Sequence, residues 1–365
     1  MLKRVYVDNF GCLVNFEFRP SQVNLLLGRN GSGKTTLLDV LKRLRDVVVF
    51  GYRVPDVFPL FTKTQWETRP RQRFEIEIEA ADDTYAYVLV IEQDPKTGPS
   101  IQEEMLTVGG KPLFRFGEGK IHLFGDDHAP GPSFAFQAPY SPLASHASAG
   151  SKMRVFLDFL GKIWIFRLNP WLLMDASSTS EQAVLTESGS NFPSWYRGLV
   201  QAQPEISSSI RDSLKQVLPG FEGFRLPDWG QAGTRLLVAD FSRPAGGPTY
   251  VLTLANLSEG QRCLVILYSI LHAIAGRATM LVIDEPDNFV ALQEIQPWLN
   301  LLRQAIEDQN TQLVVISHNP DVIDYLAADS AYLFTRPSGD VTVCREFLVD
   351  RSQGIAASEH LRLTS

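Results

Sequence analysis

Residues 28–35 read Gly-Arg-Asn-Gly-Ser-Gly-Lys-Thr, a complete G-x-x-x-x-G-K-[ST] pattern. Its flanks narrow what the chain can fold into. Val23–Leu27 is a short apolar run suited to a buried strand, and Thr36–Leu41 opens a helical pattern. A strand, a glycine-rich turn and a helix in that order wrap backbone N–H groups around an anion at the positive end of the helix. Gly28, Gly31 and Gly33 supply the backbone freedom, and Asn30, Ser32 and Thr36 complete the cradle. Lys34 is placed to meet the β- and γ-phosphates, and the Thr35 hydroxyl to ligate Mg²⁺. The motif therefore predicts a nucleoside triphosphate site.

Three further segments specify the chemistry. Thr279–Pro286 is an apolar strand ending in Asp284 and Glu285. In that position Asp284 suits a Mg²⁺ ligand and Glu285 a base that orients and deprotonates water. Leu257-Ser258-Glu259-Gly260-Gln261-Arg262 opens an apolar helix from about Cys263 to Ala275, and Ser258 with Gly260 at its N-terminus makes a second anion site. Gln312–His318 is another buried-strand pattern, whose terminal His318 can hydrogen-bond a γ-phosphate and sense its presence.

Taken in order, Gly28–Thr35, Leu257–Arg262, Met280–Pro286 and Ser317-His318 resemble the Walker A, signature, Walker B and switch-histidine motifs of an ABC-type ATPase head. The opening Leu2–Phe10 is similar to the start of RecF/SMC-like ATPases. Ile163–Pro170 with Leu185–Phe192 resembles the middle of compact heads related to those of OLD-family nucleases. The resemblance implies ATP and Mg²⁺ as cofactors, and catalysis by Lys34, Glu285 and His318. It also implies an ATP-dependent homodimer in which Ser258 and Gly260 of one protomer complete the site around Lys34 and Asp284 of the other. A role in DNA sensing, DNA repair or phage defence follows by analogy alone.

The chain departs from the pattern in places. The Asp that ABC transporters carry after Walker B is replaced by Ala291, which leaves Asp287 or Asn288 to carry signals across a dimer. Gln137 is the first candidate for the Q-loop glutamine and Gln72 the second. No heptad pattern of the coiled-coil kind fills the long interval between Lys34 and Ser258, which favours a compact head. With no nuclease domain expected after Asp350, the resemblance points to a separate effector, a nuclease or a toxin. Two other readings stay open: a slow ATP-dependent switch or scaffold, and the nucleotide-binding subunit of a membrane transporter.

The expected fold is α/β: an ABC-type P-loop head with a mostly parallel sheet, an antiparallel β lobe and a small helical insertion. The pattern divides the chain into residues 1–130 (Walker A and β lobe), 131–233 (mainly helical insertion), 234–350 (signature, Walker B and switch histidine) and 351–365 (tail). A hydrophobic content of 44% over 365 residues is ample for such a core. Cys12, Cys263 and Cys344 are too scattered for a zinc or disulfide framework. Together with Lys3, Arg4 and Asp8 interrupting any apolar leader, they predict a cytoplasmic protein with no membrane partner. The net charge of −7 restricts any DNA contact to local patches, Lys42-Arg43-Leu44-Arg45 and Arg69/Arg71/Arg73 being the candidates.

Overall fold

A computed structural model describes residues 1–146, 151–230, 233–243, 247–274, 277–327, 330–337, 339–348 and 356–364. The chain opens with β1 (Leu2–Asp8), β2 (Phe16–Phe18) and β3 (Val23–Leu27), then α1 (Lys34–Val48) and the short α2 (Val54–Val57). A run of strands follows: β4 (Arg71–Ala80), β5 (Asp83–Asp94), β6 (Gly98–Val108), β7 (Lys111–Gly117), β8 (Lys120–Phe124) and β9 (Pro130–Ala135). The middle holds α3 (Ser151–Gly161), β10 (Ile163–Phe166), β11 (Ser177–Ser178), α4 (Phe192–Ala202), α5 (Pro204–Val217), β12 (Phe221–Arg225), β13 (Arg235–Leu236), β14 (Val238–Phe241) and β15 (Tyr250–Thr253). From there strand and helix alternate through α6 (Glu259–Ala273), β16 (Met280–Asp284), α7 (Leu292–Gln309), β17 (Gln312–Ile316), α8 (Pro320–Leu326) and β18 (Ala331–Thr335). The described chain ends with β19 (Val343–Glu346) and α9 (Ala357–Thr364).

Two large sheets result. The smaller has the order β10-β16-β17-β3-β18-β19 and is parallel except for β19 at its edge. The larger, β2-β1-β4-β5-β6-β7-β8-β9, is antiparallel throughout. The mostly parallel sheet expected from the sequence is thus the minor one, and the antiparallel part reaches from residue 2 to residue 135. Its strands are drawn from both sides of the phosphate loop, which conceals their common sheet in a linear reading.

The parallel sheet is a wall between two cores. Strands β3, β16 and β17 are buried along their whole length, as a sheet covered on both faces requires. Because successive side chains point to opposite faces, Leu25, Leu27, Leu281, Ile283, Leu313 and Val315 enter one core. Leu26, Met280, Val282, Val314 and Ile316 enter the other. The first core is filled by α4 to α7, with Trp195, Tyr196 and Trp298 as its largest members. Helix α6 is buried nearly all round, which suits its position at the centre of that layer.

The second core is closed by α1, α3 and the inner face of the antiparallel sheet. Strand β4 shows how: Gln72, Phe74, Ile76 and Ile78 are buried, while Arg73, Glu75 and Glu77 alternate outward. On the outer face the Arg4 guanidinium donates to Glu17, Glu75 and Glu77 at 2.7, 2.7 and 3.1 Å. Strand β10, which falls within the segment that reads as a helical insertion, pairs in parallel with the Walker B strand and belongs to the core sheet. Residues 147–150 of the Pro/Ser/Ala/Gly-rich stretch lie outside the described residues, as do 351–355 of the tail. Among the described residues no helix is long and apolar enough to cross a membrane.

A buried amide links the two sheets. Gln312, at the start of β17, accepts from the Leu2 N–H at 2.8 Å and donates to the Leu2 carbonyl at 2.9 Å and the Ser21 carbonyl at 2.7 Å. Replacing Gln312 with Leu would strand backbone groups with no water to replace the bonds. We predict that Gln312→Leu lowers unfolding free energy by about 2–4 kcal/mol, read from urea denaturation; an unchanged midpoint would remove Gln312 as the clamp.

Candidate active site

The phosphate loop is held in shape by backbone constraints. Gly28, directly after β3, adopts φ +137°, and a Cβ there would lie 2.2 Å from the Phe334 carbonyl oxygen. Gly33 caps α1 at φ +104°, where a Cβ would meet the Thr342 hydroxyl at 2.4 Å. No side chain fits at either position, so the loop backbone itself faces the space above the helix. The Ser32 hydroxyl is buried and has no hydrogen-bond partner among the described residues, an open valence inside the loop. Thr35 is exposed at the first turn of α1.

Lys34 is 5% exposed and curls back over the loop, its ammonium donating to the carbonyls of Gly28 at 2.6 Å and Arg29 at 3.1 Å. Burial pushes its pKa down, and the charges of Asp284 and Glu285 push it back up. The loop follows β3 and the two carboxylates follow β16, with β17 between these strands in one parallel sheet, so all three lie at the same edge of the sheet. Asp284, at the end of β16, is itself buried, which raises its pKa against the opposing pull of Arg167.

Glu285 is backbone-strained. Its φ of +53° is the left-handed conformation that costs a non-glycine residue about 1 kcal/mol or more. Its N–H is anchored to the Ile316 carbonyl at 2.8 Å. The kink brings its carboxylate to 3.7 Å from His318 Nε2 and into a hydrogen bond with the Asn288 amide. Asp287 stands close to this pair: burial and the Glu285 charge raise its pKa, and its buried Oδ1 has no hydrogen-bond partner among the described residues.

The signature segment forms a different cleft. Ser258 caps α6 in a reciprocal box, its hydroxyl accepting from the Gln261 N–H at 3.2 Å while the Gln261 side chain accepts from the Ser258 N–H at 2.9 Å. A Cβ on Gly260 would approach the Phe289 carbonyl oxygen to 2.6 Å, so only glycine lets the helix start pack on the segment after Walker B. Ser258, Gly260, Phe289 and Ala291 line a solvent-open cleft that shares no residue with the one containing Thr35, Thr36 and Arg167.

Both glutamine candidates lie elsewhere. Gln137 follows β9, the outer edge of the large sheet, in a cleft lined by Ile101, Phe116 and Phe136. Gln72 is buried, donating to the Asn9 carbonyl and accepting from Gln93. The side chain that does reach Walker B from the flanking strand is Arg167, directly after β10, whose Nε donates to Asp284 Oδ2 at 2.9 Å. Its sequence signal, a cation ending a four-residue apolar run, has no distinguishing mark without the sheet order.

A second pair was equally hidden. Arg336 donates to the Gly31 carbonyl at 3.3 Å and lies over the Trp66 ring, placing a half-exposed indole beside the loop. The basic clusters, by contrast, are mostly paired internally, although Arg71 is exposed and has no ion pair among the described residues. Lys42 pairs with Glu187, Arg43 with Asp39, Arg69 with Asp8 and Glu67, and Arg73 with Glu75.

Thr35 and Asp284 fit a Mg²⁺ held by few protein ligands, because they offer hard oxygens and leave the remaining positions to phosphate and water. The combination of loop amides, a buried ammonium, a metal-type carboxylate and a strained Glu–His pair is suited to phosphoryl chemistry.

Comparison with known proteins bears on the fold. A family model described as an AAA domain matches residues 4–102. No curated protein matches the chain. Among solved structures, the SMC head domain from Thermotoga maritima is similar at 15% identity and TM-score 0.52, over 95% of this chain and 99% of that one. An SMC head bound to the C-winged helix domain of ScpA is similar at 14% identity and TM-score 0.58, over 97% and 99%. An SMC head with an extended coiled coil, bound to the C-terminal domain of ScpA derived from Pyrococcus furiosus, is similar at 12% identity and TM-score 0.56, over 100% and 98%. The chain thus has the mixed α/β fold of the SMC-type ATPase heads.

Proposed function

We propose that the chain binds ATP with Mg²⁺, dimerises on it and hydrolyses it, using the cycle to control a partner. The observation that carries this reading is that the phosphate loop, Asp284 with Glu285, and His318 follow the neighbouring parallel strands β3, β16 and β17, with His318 Nε2 3.7 Å from the Glu285 carboxylate. Lys34 and the loop amides bind the phosphates, and Thr35 with Asp284 holds the metal. The metal, when bound, neutralises charge developing on the β- and γ-phosphates. Glu285 orients and deprotonates the attacking water, and its strained backbone fixes the direction of its carboxylate. His318 meets the γ-phosphate, and Trp66 offers its face to the base.

The separate cleft of Ser258 and Gly260 supports completion of the site by a second copy, with two nucleotides as the adhesive of the dimer. Control of a protein partner is favoured by analogy with the two SMC heads bound to ScpA. The internal pairing of Lys42, Arg43, Arg69 and Arg73 makes DNA the less favoured partner. The finer placement, among compact heads related to OLD-family nucleases with a separate nuclease or toxin in DNA repair or phage defence, rests on the resemblance of Ile163–Pro170 and Leu185–Phe192.

Two experiments test the assignments. Glu285→Gln is expected to keep ATP binding while turnover falls by roughly a hundredfold or more, and to accumulate dimers in sedimentation; normal turnover would exclude Glu285 as the base. Trp66→Ala should weaken ATP binding by about fivefold to tenfold while leaving inorganic triphosphate binding unchanged. Equal losses for both ligands would mean that Trp66 supports the loop instead of the base.

A further inference from the structure

Arg167 occupies the carboxylate that the proposed function gives to the metal. Strand β10 runs parallel to β16 with Phe166 opposite Ile283, so the next residues on the two strands are Arg167 and Asp284. The Arg167 guanidinium donates through Nε to Asp284 Oδ2 at 2.9 Å. The partners differ in freedom: the Asp284 side chain is 8% exposed and the Arg167 side chain 48%. Asp284 is fixed at the end of a buried strand, and its counter-ion reaches it from solvent.

The Arg167 backbone is also fixed. Its N–H donates to the Glu187 carbonyl at 2.9 Å, and the Asn169 N–H donates to the Ser188 carbonyl at 3.1 Å. Motion is therefore left to the side chain. Beside it opens a cleft of about 990 Å³, walled by Trp164, Trp171, Glu187, Glu285 and Asn288, with room to receive a displaced guanidinium.

A divalent cation and a guanidinium compete for one carboxylate, since each destabilises the other at short range in a partly desolvated site. We propose that Arg167 is the resident counter-ion of Asp284 and is displaced into the adjacent cleft when the metal arrives, so that it sets the affinity for metal. It is a positioning residue that keeps the metal-ligating carboxylate neutralised and oriented between cycles. The inference rests on the assignment of Asp284 as a metal ligand.

The test is binding, not turnover. The affinity of a non-hydrolysable fluorescent ATP analogue is measured in Mn²⁺ and in EDTA, and their ratio gives the gain due to metal. In wild type this gain includes the breaking of the ion pair. Arg167→Gln removes that cost, so the gain is expected to rise by roughly tenfold, and Arg167→Lys, which keeps the cation, is expected to return it toward wild type. A ratio unchanged or lowered in Arg167→Gln overturns the proposal, including the case in which both affinities fall together because Arg167 is merely structural. Asp284→Asn separates this from the underlying assignment. Loss of the metal gain there upholds Asp284 as the ligand, and a gain equal to wild type removes the ligand assignment and the proposal with it.

Discussion

Burial of both faces of the parallel sheet is the constraint on which the rest of the molecule depends. Strands β3, β16 and β17 have no solvent-facing side, so helices must cover one face, while α1, α3 and the antiparallel sheet cover the other. With the faces closed, chemistry is confined to the strand ends. The phosphate loop follows β3, Asp284 ends β16 with Glu285 next, Ser317-His318 follows β17 and Arg167 follows β10. Four segments distant in sequence thereby meet along one edge, the usual ligand edge of an open parallel sheet.

The electrostatics of that edge follow from the same packing. Burial raises the Asp284 carboxyl pKa and lowers that of the Lys34 ammonium, so each charged form depends on its neighbours. The loop carbonyls hold the ammonium and Arg167 holds the carboxylate. The strain at Glu285 has the same origin: its N–H is bound to β17 through Ile316, and the chain turns sharply to carry the side chain toward His318.

Legibility in the sequence followed locality. Val23–Leu27, Thr279–Pro286 and Gln312–His318 each read as a buried strand leading to a motif, and each holds one, at Val23–Leu27, Met280–Asp284 and Gln312–Ile316. The Ser258–Gln261 cap was readable because it closes within four residues. Strand β10 was not, because a four-residue apolar run after a helix carries no record of its partner β16. For the same reason the contact of Arg167 with Asp284, 117 residues away, has no signal in the sequence. The antiparallel sheet was legible in its alternating middle, as in Phe74–Glu79 within the observed Arg71–Ala80, but not in its extent, which depends on pairing β1 with β4 across the phosphate loop.

The central claim is that one active site is assembled from two chains. Its most direct measurement is ATP turnover by a mixture of Ser258→Arg and Lys34→Ala chains, each inactive alone. The account predicts that mixing restores part of the wild-type rate, because each heterodimer keeps one site with an intact Lys34 facing an intact Ser258. Absence of recovery, with heterodimers demonstrated in the same sample, would contradict assembly of an independently working site across two chains.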